Sequence, residues 1–139
     1  MAQYAVGRRG SSMVKQGDII KTDLDPVKGH EQAGYRPALV LNQPLFSQAT
    51  NLTLICPITN TDRRRAMHIK LEGLQTTGFV MTEQIRAVDL KDRKFRVVER
   101  APKEVIDKVS NLIKASVDVS EDYEETQTDE NSEENHSAE

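Results

Sequence analysis

The stretch QGDIIKTDLDPVKGHEQAGYRPALVL, residues 16–41, decides the fold because it holds two apolar segments joined by a polar loop. DIIKTDL (18–24) alternates apolar and polar residues, as a half-buried strand does, and Asp25-Pro26 ends it. PALVLN (37–42) is apolar and bounded by turn residues, which is typical of a core strand. Between them, GHEQAGYRP (29–37) crowds hydrogen-bonding side chains into a loop with two glycines. The loop is either a polar surface turn or a site.

The rest of the chain predicts further short strands. The polar pair Glu83-Gln84 interrupts one of them, which indicates a bulge or a corner. These segments are NLTLICPIT (51–59), MHIKLEG (67–73), GFVMTEQIRAVD (78–89) and KFRVVER (94–100).

A helix follows the last strand. Val105, Val109, Leu112 and Ile113 recur at three- and four-residue spacing, and Pro102 suits a first helical position, where its missing N–H is not needed. The predicted fold class is therefore mainly β with a C-terminal helix, a small barrel-like sheet closed by that helix.

Composition divides the chain into three parts. Residues 1–13 show no periodicity, and we expect a disordered leader or tag. Residues 14–119 form one domain of ordinary size. Residues 120–139 are polar and acidic, a composition that cannot bury a core, so we expect a disordered tail.

The charge distribution is uneven along the chain. The net charge is −3, but nine of the 22 acids lie at 121–139 with no Lys or Arg among them, so the remainder carries 13 acids against 19 basic residues, a net charge of +6. A basic body fits either a polyanionic ligand or a merely solvated surface. One cysteine, Cys56, excludes an internal disulfide, and no signal peptide or membrane span is evident, which favours the cytoplasm.

Common catalytic motifs are missing from the sequence. His30, His68 and His136 are far apart and the single cysteine forms no CxxC pair, so we predict no metal site and no cofactor. Phosphate-binding glycine loops and GxSxG are absent as well.

Three local features are candidates for chemistry. Arg36 precedes a proline, which biases its backbone to an extended form, and guanidinium grips phosphate well; pairing with Glu31 or Asp25 is the alternative. Thr59 ends an apolar run, where a hydroxyl either caps a turn or contacts a ligand. Arg63–Arg65 offer a landing site for nucleic acid or a solvated loop.

Three motifs in order make the sequence resemble the MazF/PemK toxin family of type II toxin–antitoxin systems. The first is the GDI strand with D-x-x-P and G-x-E-Q-x-G-x-R-P, the second is CPITNT (56–61), and the third is TEQIRAVD (82–89). The resemblance covers about residues 15–117. It implies an SH3-like, partly open β-barrel (CcdB/Kid/PemK-like fold) that forms a homodimer.

The resemblance also implies an activity: metal-independent, sequence-specific cleavage of single-stranded mRNA in the bacterial cytoplasm, giving a 2′,3′-cyclic phosphate and a 5′-OH. A cognate antitoxin is the implied protein partner, with an acidic or apolar segment laid over the RNA groove.

Site residues carry over from the family position by position. Arg36 would stabilise the phosphorane, Thr59 would hold the scissile phosphate, and Glu31 would handle the proton or orient Arg36. The residues expected to bind RNA are His30, Gln32, Glu83, Gln84, Arg86, Arg63, Arg64 and Arg65. Some relatives carry an arginine at the place of Met81, so a mechanism that needs it does not transfer.

Two other functions remain open at this point. A CcdB-like, non-catalytic toxin that binds DNA gyrase would share the scaffold, although it needs no Arg36–Thr59 pair. A plain SH3-like RNA-binding module would call for more stacking aromatics than 4%. The acidic tail either mimics RNA in cis or is a solubilising segment.

Overall fold

The structure is a computed structural model that describes residues 4–6 (backbone only), 14–24, 35–61, 66–91 and 93–124. Strands dominate it, with two helices in these ranges. The strands are β1 (Tyr4–Val6), β2 (Asp18–Asp23), β3 (Tyr35–Val40), β4 (Thr53–Thr59), β5 (His68–Lys70), β6 (Phe79–Met81), β7 (Arg86–Val88) and β8 (Lys94–Arg100). The helices are α1 (Pro44–Thr50) and α2 (Lys103–Val117).

The described strands form one antiparallel sheet in the order β1-β8-β2-β3-β4-β6-β5, with β7 also paired to β4. The two ends of this path, β1 and β5, are not paired with each other. The sheet is thus unclosed, and the predicted mainly β fold with a C-terminal helix is confirmed.

Both faces of the sheet are covered. Ile20, Ala38 and Phe95 belong to one buried cluster, and Ile19, Leu39 and Val109 of α2 belong to the other. Adjacent residues such as Ile19 and Ile20 point to opposite faces and are both fully buried, because side chains alternate along a strand. Strand β2, predicted to be half-buried, is thus buried on both faces over its first three residues. Helix α2 covers the second cluster.

The predicted corner at Glu83-Gln84 is present. Ile58 pairs with Val80 and Ile55 with Arg86, so the two residues of β4 between them face five residues, 81–85. A 3-10 turn, Thr82–Gln84, takes up the excess. Thr82 fixes the turn by donating from its hydroxyl to the Met67 carbonyl at 2.6 Å.

Some local expectations needed revision. Pro102 is the N-cap of α2 and not its first helical residue. Helix α1 was not predicted from the sequence, and neither was β1, which lies inside the predicted leader and pairs with β8. Residues 1–3, 7–13 and 125–139, on which much of the leader and tail predictions rest, lie outside the described residues. Among the described helices, none combines the length and apolarity that crossing a membrane requires.

Candidate functional site

The register of strands β3 and β4 sets the two central candidates, Arg36 and Thr59, opposite each other. Strands β3 and β4 pair through Ala38 with Pro57 and Leu39 with Cys56. Continuing this antiparallel register by two residues sets Arg36, near the start of β3, opposite Thr59, the last residue of β4. Directly opposed residues share a face of the sheet, so Arg36 and Thr59 lie on the same face where β3 begins and β4 ends.

Arg36 is available to a ligand as far as the described residues go. Its side chain is exposed, and no hydrogen bond or ion pair joins it to another described residue. Its strand neighbour Thr22 is fully buried and donates to the Lys94 carbonyl at 2.9 Å, which fixes the backbone beside Arg36. The alternative pairing with Glu31 or Asp25 involves residues outside the described ranges.

Thr59 caps a turn and keeps a donor. Its Oγ1 accepts the Thr61 N–H at 3.1 Å, so the turn-capping alternative is correct as far as it goes. A hydroxyl that accepts one hydrogen bond still carries its own hydrogen. That hydrogen can be donated to an anionic oxygen, so the two roles of Thr59 are compatible.

Gly78 packs directly against this strand end. Its φ is +121°, and a Cβ there would lie 2.4 Å from the Thr59 carbonyl oxygen. Only glycine allows β6 to approach Thr59 so closely with that backbone. The position of the Thr59 backbone thus depends on the absence of a side chain at Gly78.

A histidine–carboxylate pair occupies the corner beside β4. The Nε2 of His68 lies 3.1 Å from Oε2 of Glu83, and the side chains are 4% and 23% exposed. An ionised carboxylate only accepts, so Nε2 carries the hydrogen, and the buried Nδ1 has no hydrogen-bond partner among the described residues. His68 is directly opposite Met81 in the β5–β6 ladder, on the face that Thr59 and Phe79 share.

Burial shapes the chemistry of Cys56, which lies across from this corner. Burial, reinforced by the negative charge of Glu83, raises the pKa of the Cys56 thiol to about 12. The thiol is therefore protonated at neutral pH and serves as a small core residue.

Arg86 and Arg93 bind the backbone at the end of β2. Arg86 donates from Nη2 to the Leu24 carbonyl, and Arg93 donates from Nη1 to the Asp23 carbonyl. Asp23 and Leu24 are the last residues described before residue 35, and Asp23–Tyr35 is the final pair between β2 and β3. The two arginines thus fix the backbone of Asp23 and Leu24.

The predicted site residues fall into two groups. Glu83 and Gln84 lie together on the corner turn, and Gln84 is exposed. His30, Glu31, Gln32 and Arg63–Arg65 lie outside the described residues, so their roles stay predictions. Sequence reasoning missed His68 and Gly78; alternation in MHIKLEG placed His68 on a strand, but nothing local indicated its carboxylate partner.

Known proteins resemble this chain over the same region. Residues 15–117 match the family described as PemK-like, MazF-like toxin of type II toxin-antitoxin system. The chain is 36% identical to Endoribonuclease PemK of Escherichia coli over 107 residues, covering 73% of this chain and 80% of that protein. It is 33% identical to Endoribonuclease toxin MazF of E. coli K12 over 104 residues, covering 74% and 89%.

A solved structure agrees with the fold. The chain superposes on a MazE-MazF crystal structure from Deinococcus radiodurans with a TM-score of 0.69 and 28% identity, covering 77% of this chain and 97% of that one. None of these relatives favours the gyrase-binding or plain RNA-binding alternative. The family match and the identities to PemK and MazF lead to one conclusion: the chain belongs to the PemK-like, MazF-like toxins of type II toxin–antitoxin systems.

Proposed function

We propose that this protein is a toxin endoribonuclease that cleaves single-stranded RNA, mainly mRNA, at specific short sequences. The observation that carries the proposal is the β3–β4 register, which, continued by two residues, sets Arg36 at the start of β3 opposite Thr59 at the end of β4. A guanidinium and a hydroxyl donor side by side suit a phosphate, since both can bond its non-bridging oxygens.

The reaction follows from these groups. The 2′-OH of the RNA loses its proton, its oxygen bonds to phosphorus, and the P–O5′ bond breaks while O5′ gains a proton. Arg36 offsets the charge that builds up on the phosphorane, and Thr59 keeps the phosphate in line by donating to it. Glu31 is the sequence candidate for taking the 2′ proton. The products are a 2′,3′-cyclic phosphate and a 5′-OH, and no metal or other cofactor takes part.

Base recognition is assigned to the corner turn. Glu83 and Gln84 offer carboxylate and amide groups of the kind that read the edges of unstacked bases. His68 is a positioning residue, because its hydrogen bond fixes Glu83 Oε2 at 3.1 Å. Arg86 holds the Leu24 carbonyl, five positions before the GHEQ motif in the chain. His30, Gln32 and Arg63–Arg65 complete the RNA contacts expected from the sequence.

The biological setting is that of the family. The MazE-MazF complex from D. radiodurans supports a cognate antitoxin as partner here too. We assign the protein to the bacterial cytoplasm, as a homodimer in its active form.

The test is incubation of the purified protein with a long RNA in excess EDTA, followed by mapping of new 5′ ends. The expected result is cleavage at one recurrent short sequence, with 5′ ends that a kinase labels without prior phosphatase treatment. Intact RNA, or cleavage that EDTA abolishes, would refute the proposal.

A further inference from the structure

A row of four residues crosses the sheet from the candidate catalytic site to β5. Phe79 of β6 is the direct partner of Thr59 in the β4–β6 ladder and of Lys70 in the β5–β6 ladder. Direct partners share a face of the sheet, and the β3–β4 register, continued by two residues, adds Arg36 to the same row. Three strand spacings separate the ends of the row, which is therefore about 14 Å long. Its order is Arg36, Thr59, Phe79 and Lys70.

The face of β5 and β6 that carries Phe79 lies outside both buried clusters. Ile69 and Val80, which alternate with Lys70 and Phe79 along the strands, belong to the cluster that α2 covers. Phe79 belongs to neither cluster and is partly exposed. The ring therefore offers an accessible aromatic surface on the face that also carries Thr59.

The Phe79 ring is held by a contact with the histidine of the corner pair. The ring centroids of His68 and Phe79 lie 6.3 Å apart, and the ring planes are tilted by 36°. His68 is itself bound to Glu83, whose Oε2 lies 3.1 Å from Nε2. Because the neighbouring ring restricts Phe79, less rotational freedom is lost when a ligand stacks on it.

The two ends of the row are positively charged and exposed. No ion pair joins Arg36 or Lys70 to another described residue. Grooves that bind single-stranded nucleic acid combine cations, which follow the backbone, with aromatic rings, on which bases stack. The order of cation, hydroxyl, ring and cation therefore matches a phosphate, a base and a further phosphate of one strand.

We propose that the RNA crosses the sheet along this row, with a base next to the scissile phosphate stacked on Phe79 and the next backbone phosphate bound by Lys70. The proposal rests on the proposed function, because Arg36 and Thr59 define where the scissile phosphate lies. Stacking accepts every base, since every base has a π face. Phe79 thus adds affinity and positions the strand, while the selection of bases stays with the corner turn.

The test of the ring compares Phe79→Leu, which keeps an apolar side chain, with Phe79→Tyr, which keeps an aromatic ring. Phe46→Leu is the control, because it removes a ring from α1, outside the row. Each full-length protein is titrated with an RNA that contains the mapped cleavage sequence and a 2′-O-methyl group at the scissile nucleotide. A matched set of RNAs has one abasic nucleotide each, on either side of the scissile phosphate. Fluorescence anisotropy measures binding.

The expected result is a loss that depends on one base. Phe79→Leu should bind the intact RNA about tenfold more weakly than the wild type, whereas Phe79→Tyr and Phe46→Leu should match the wild type. One abasic position next to the scissile phosphate should weaken binding by the wild type and remove the difference between wild type and Phe79→Leu, because no base is left to stack.

The other end of the row is tested by the salt dependence of binding. Lys70→Gln should show a log–log salt slope shallower by about 0.7, as for one lost phosphate contact on a single strand. Lys70→Arg keeps the charge, and Lys114→Gln removes a charge from the exposed last turn of α2. Both should keep the slope of the wild type, and an unchanged slope for Lys70→Gln would remove Lys70 from the site.

Several results would overturn the proposal. These are unchanged binding by Phe79→Leu, an equal loss for the intact RNA and every abasic RNA, or the same loss in Phe79→Tyr as in Phe79→Leu. A changed oligomeric state of Phe79→Leu in size-exclusion chromatography would overturn it in favour of a contact between copies of the chain.

Oligouridine binding separates this proposal from the proposed function. If the wild type leaves a long RNA intact but Phe79→Leu binds oligouridine more weakly than Phe79→Tyr does, the nuclease is refuted and the stacking site is supported. If the wild type cleaves RNA and the two variants bind alike, the nuclease stands and the stacking site is refuted.

Discussion

Gly78→Ala should reduce the cleavage rate by displacing the backbone of Thr59. The new Cβ would lie 2.4 Å from the Thr59 carbonyl oxygen and 2.9 Å from its carbonyl carbon. Since real Cβ contacts are not shorter than 3.0 Å, strand β4 and strand β6 must separate by at least about 0.6 Å here. Both neighbours are backbone, so no side-chain rotation can relieve the contact.

The size of the effect follows from two separate costs. A φ of +121° strains an alanine by about 1–3 kcal/mol, and the overpacking adds about 1–3 kcal/mol more. Displacement of a phosphate-holding hydroxyl by a sizeable fraction of an ångström costs about 10- to 100-fold in rate. We therefore expect a free energy of unfolding about 2–6 kcal/mol lower and a strongly reduced cleavage rate in the fraction that stays folded.

Gly73→Ala is the matched control in the same loop. Gly73 has a φ of +76°, but nothing lies within 4 Å of the position of its Cβ. It should lose only the strain, about 1–2 kcal/mol, and keep its cleavage rate. Urea unfolding and single-turnover cleavage of both variants, at a temperature where both are folded, decide the matter. Equal stability of the two variants with a cleavage rate of Gly78→Ala within threefold of wild type would refute the reasoning.

Three further outcomes are expected. Thr59→Ala should slow single-turnover cleavage about 10- to 100-fold. It should lower the free energy of unfolding only by the lost hydrogen bond from the Thr61 N–H, about 0.5–1.5 kcal/mol. Thr59→Ser should restore most of both, and equal rates for Thr59→Ala and wild type would remove Thr59 from the site. His68→Gln should keep a donor to Glu83 and most of the preference among target sequences. His68→Ala should relax that preference more than it lowers the cleavage rate, which sequencing of the cleaved ends measures. An unchanged preference in His68→Ala would contradict a positioning role. Cys56 should resist iodoacetamide at pH 8 until urea unfolds the chain, and fast labelling of the folded protein would contradict its burial. Burial raises the pKa of this thiol from 9.0 to about 12, so the unfolded chain loses the proton first as pH rises. The free energy of unfolding should therefore fall between these two pH values.

Much of the fold was predictable because local sequence patterns indicate the individual strands and turns. KFRVVER was predicted as a strand and is one, Lys94–Arg100. The corner at Glu83-Gln84 was predicted because two polar residues break an apolar run. Helix α1 was missed because Pro44–Thr50 has seven residues, no side-chain N-cap bond and only one buried residue, Ser47. Its start at a proline was the available signal, but periodicity cannot appear in two turns.

The site was less accessible to sequence reasoning because it is assembled across strands. Arg36 and Thr59 are 23 positions apart, and only the β3–β4 register sets them opposite each other. His68 and Glu83 meet because the 3-10 turn Thr82–Gln84 places Glu83 beside β5, where His68 lies. Phe79 lies beside Thr59 because β4 pairs with β6, a contact over 20 positions. Local patterns predict elements, whereas these pairs depend on which elements are neighbours.

The measurement that tests the central claim most directly is single-turnover cleavage by Arg36→Ala in EDTA, beside Arg36→Lys and wild type. Arg36 is exposed, so both variants should fold with the urea midpoint of the wild type. The account predicts that Arg36→Ala loses at least about 10³-fold in rate and that Arg36→Lys keeps the charge but recovers only part of it, because an ammonium lacks the paired donors of guanidinium. A folded Arg36→Ala that cleaves RNA at the wild-type rate would contradict it.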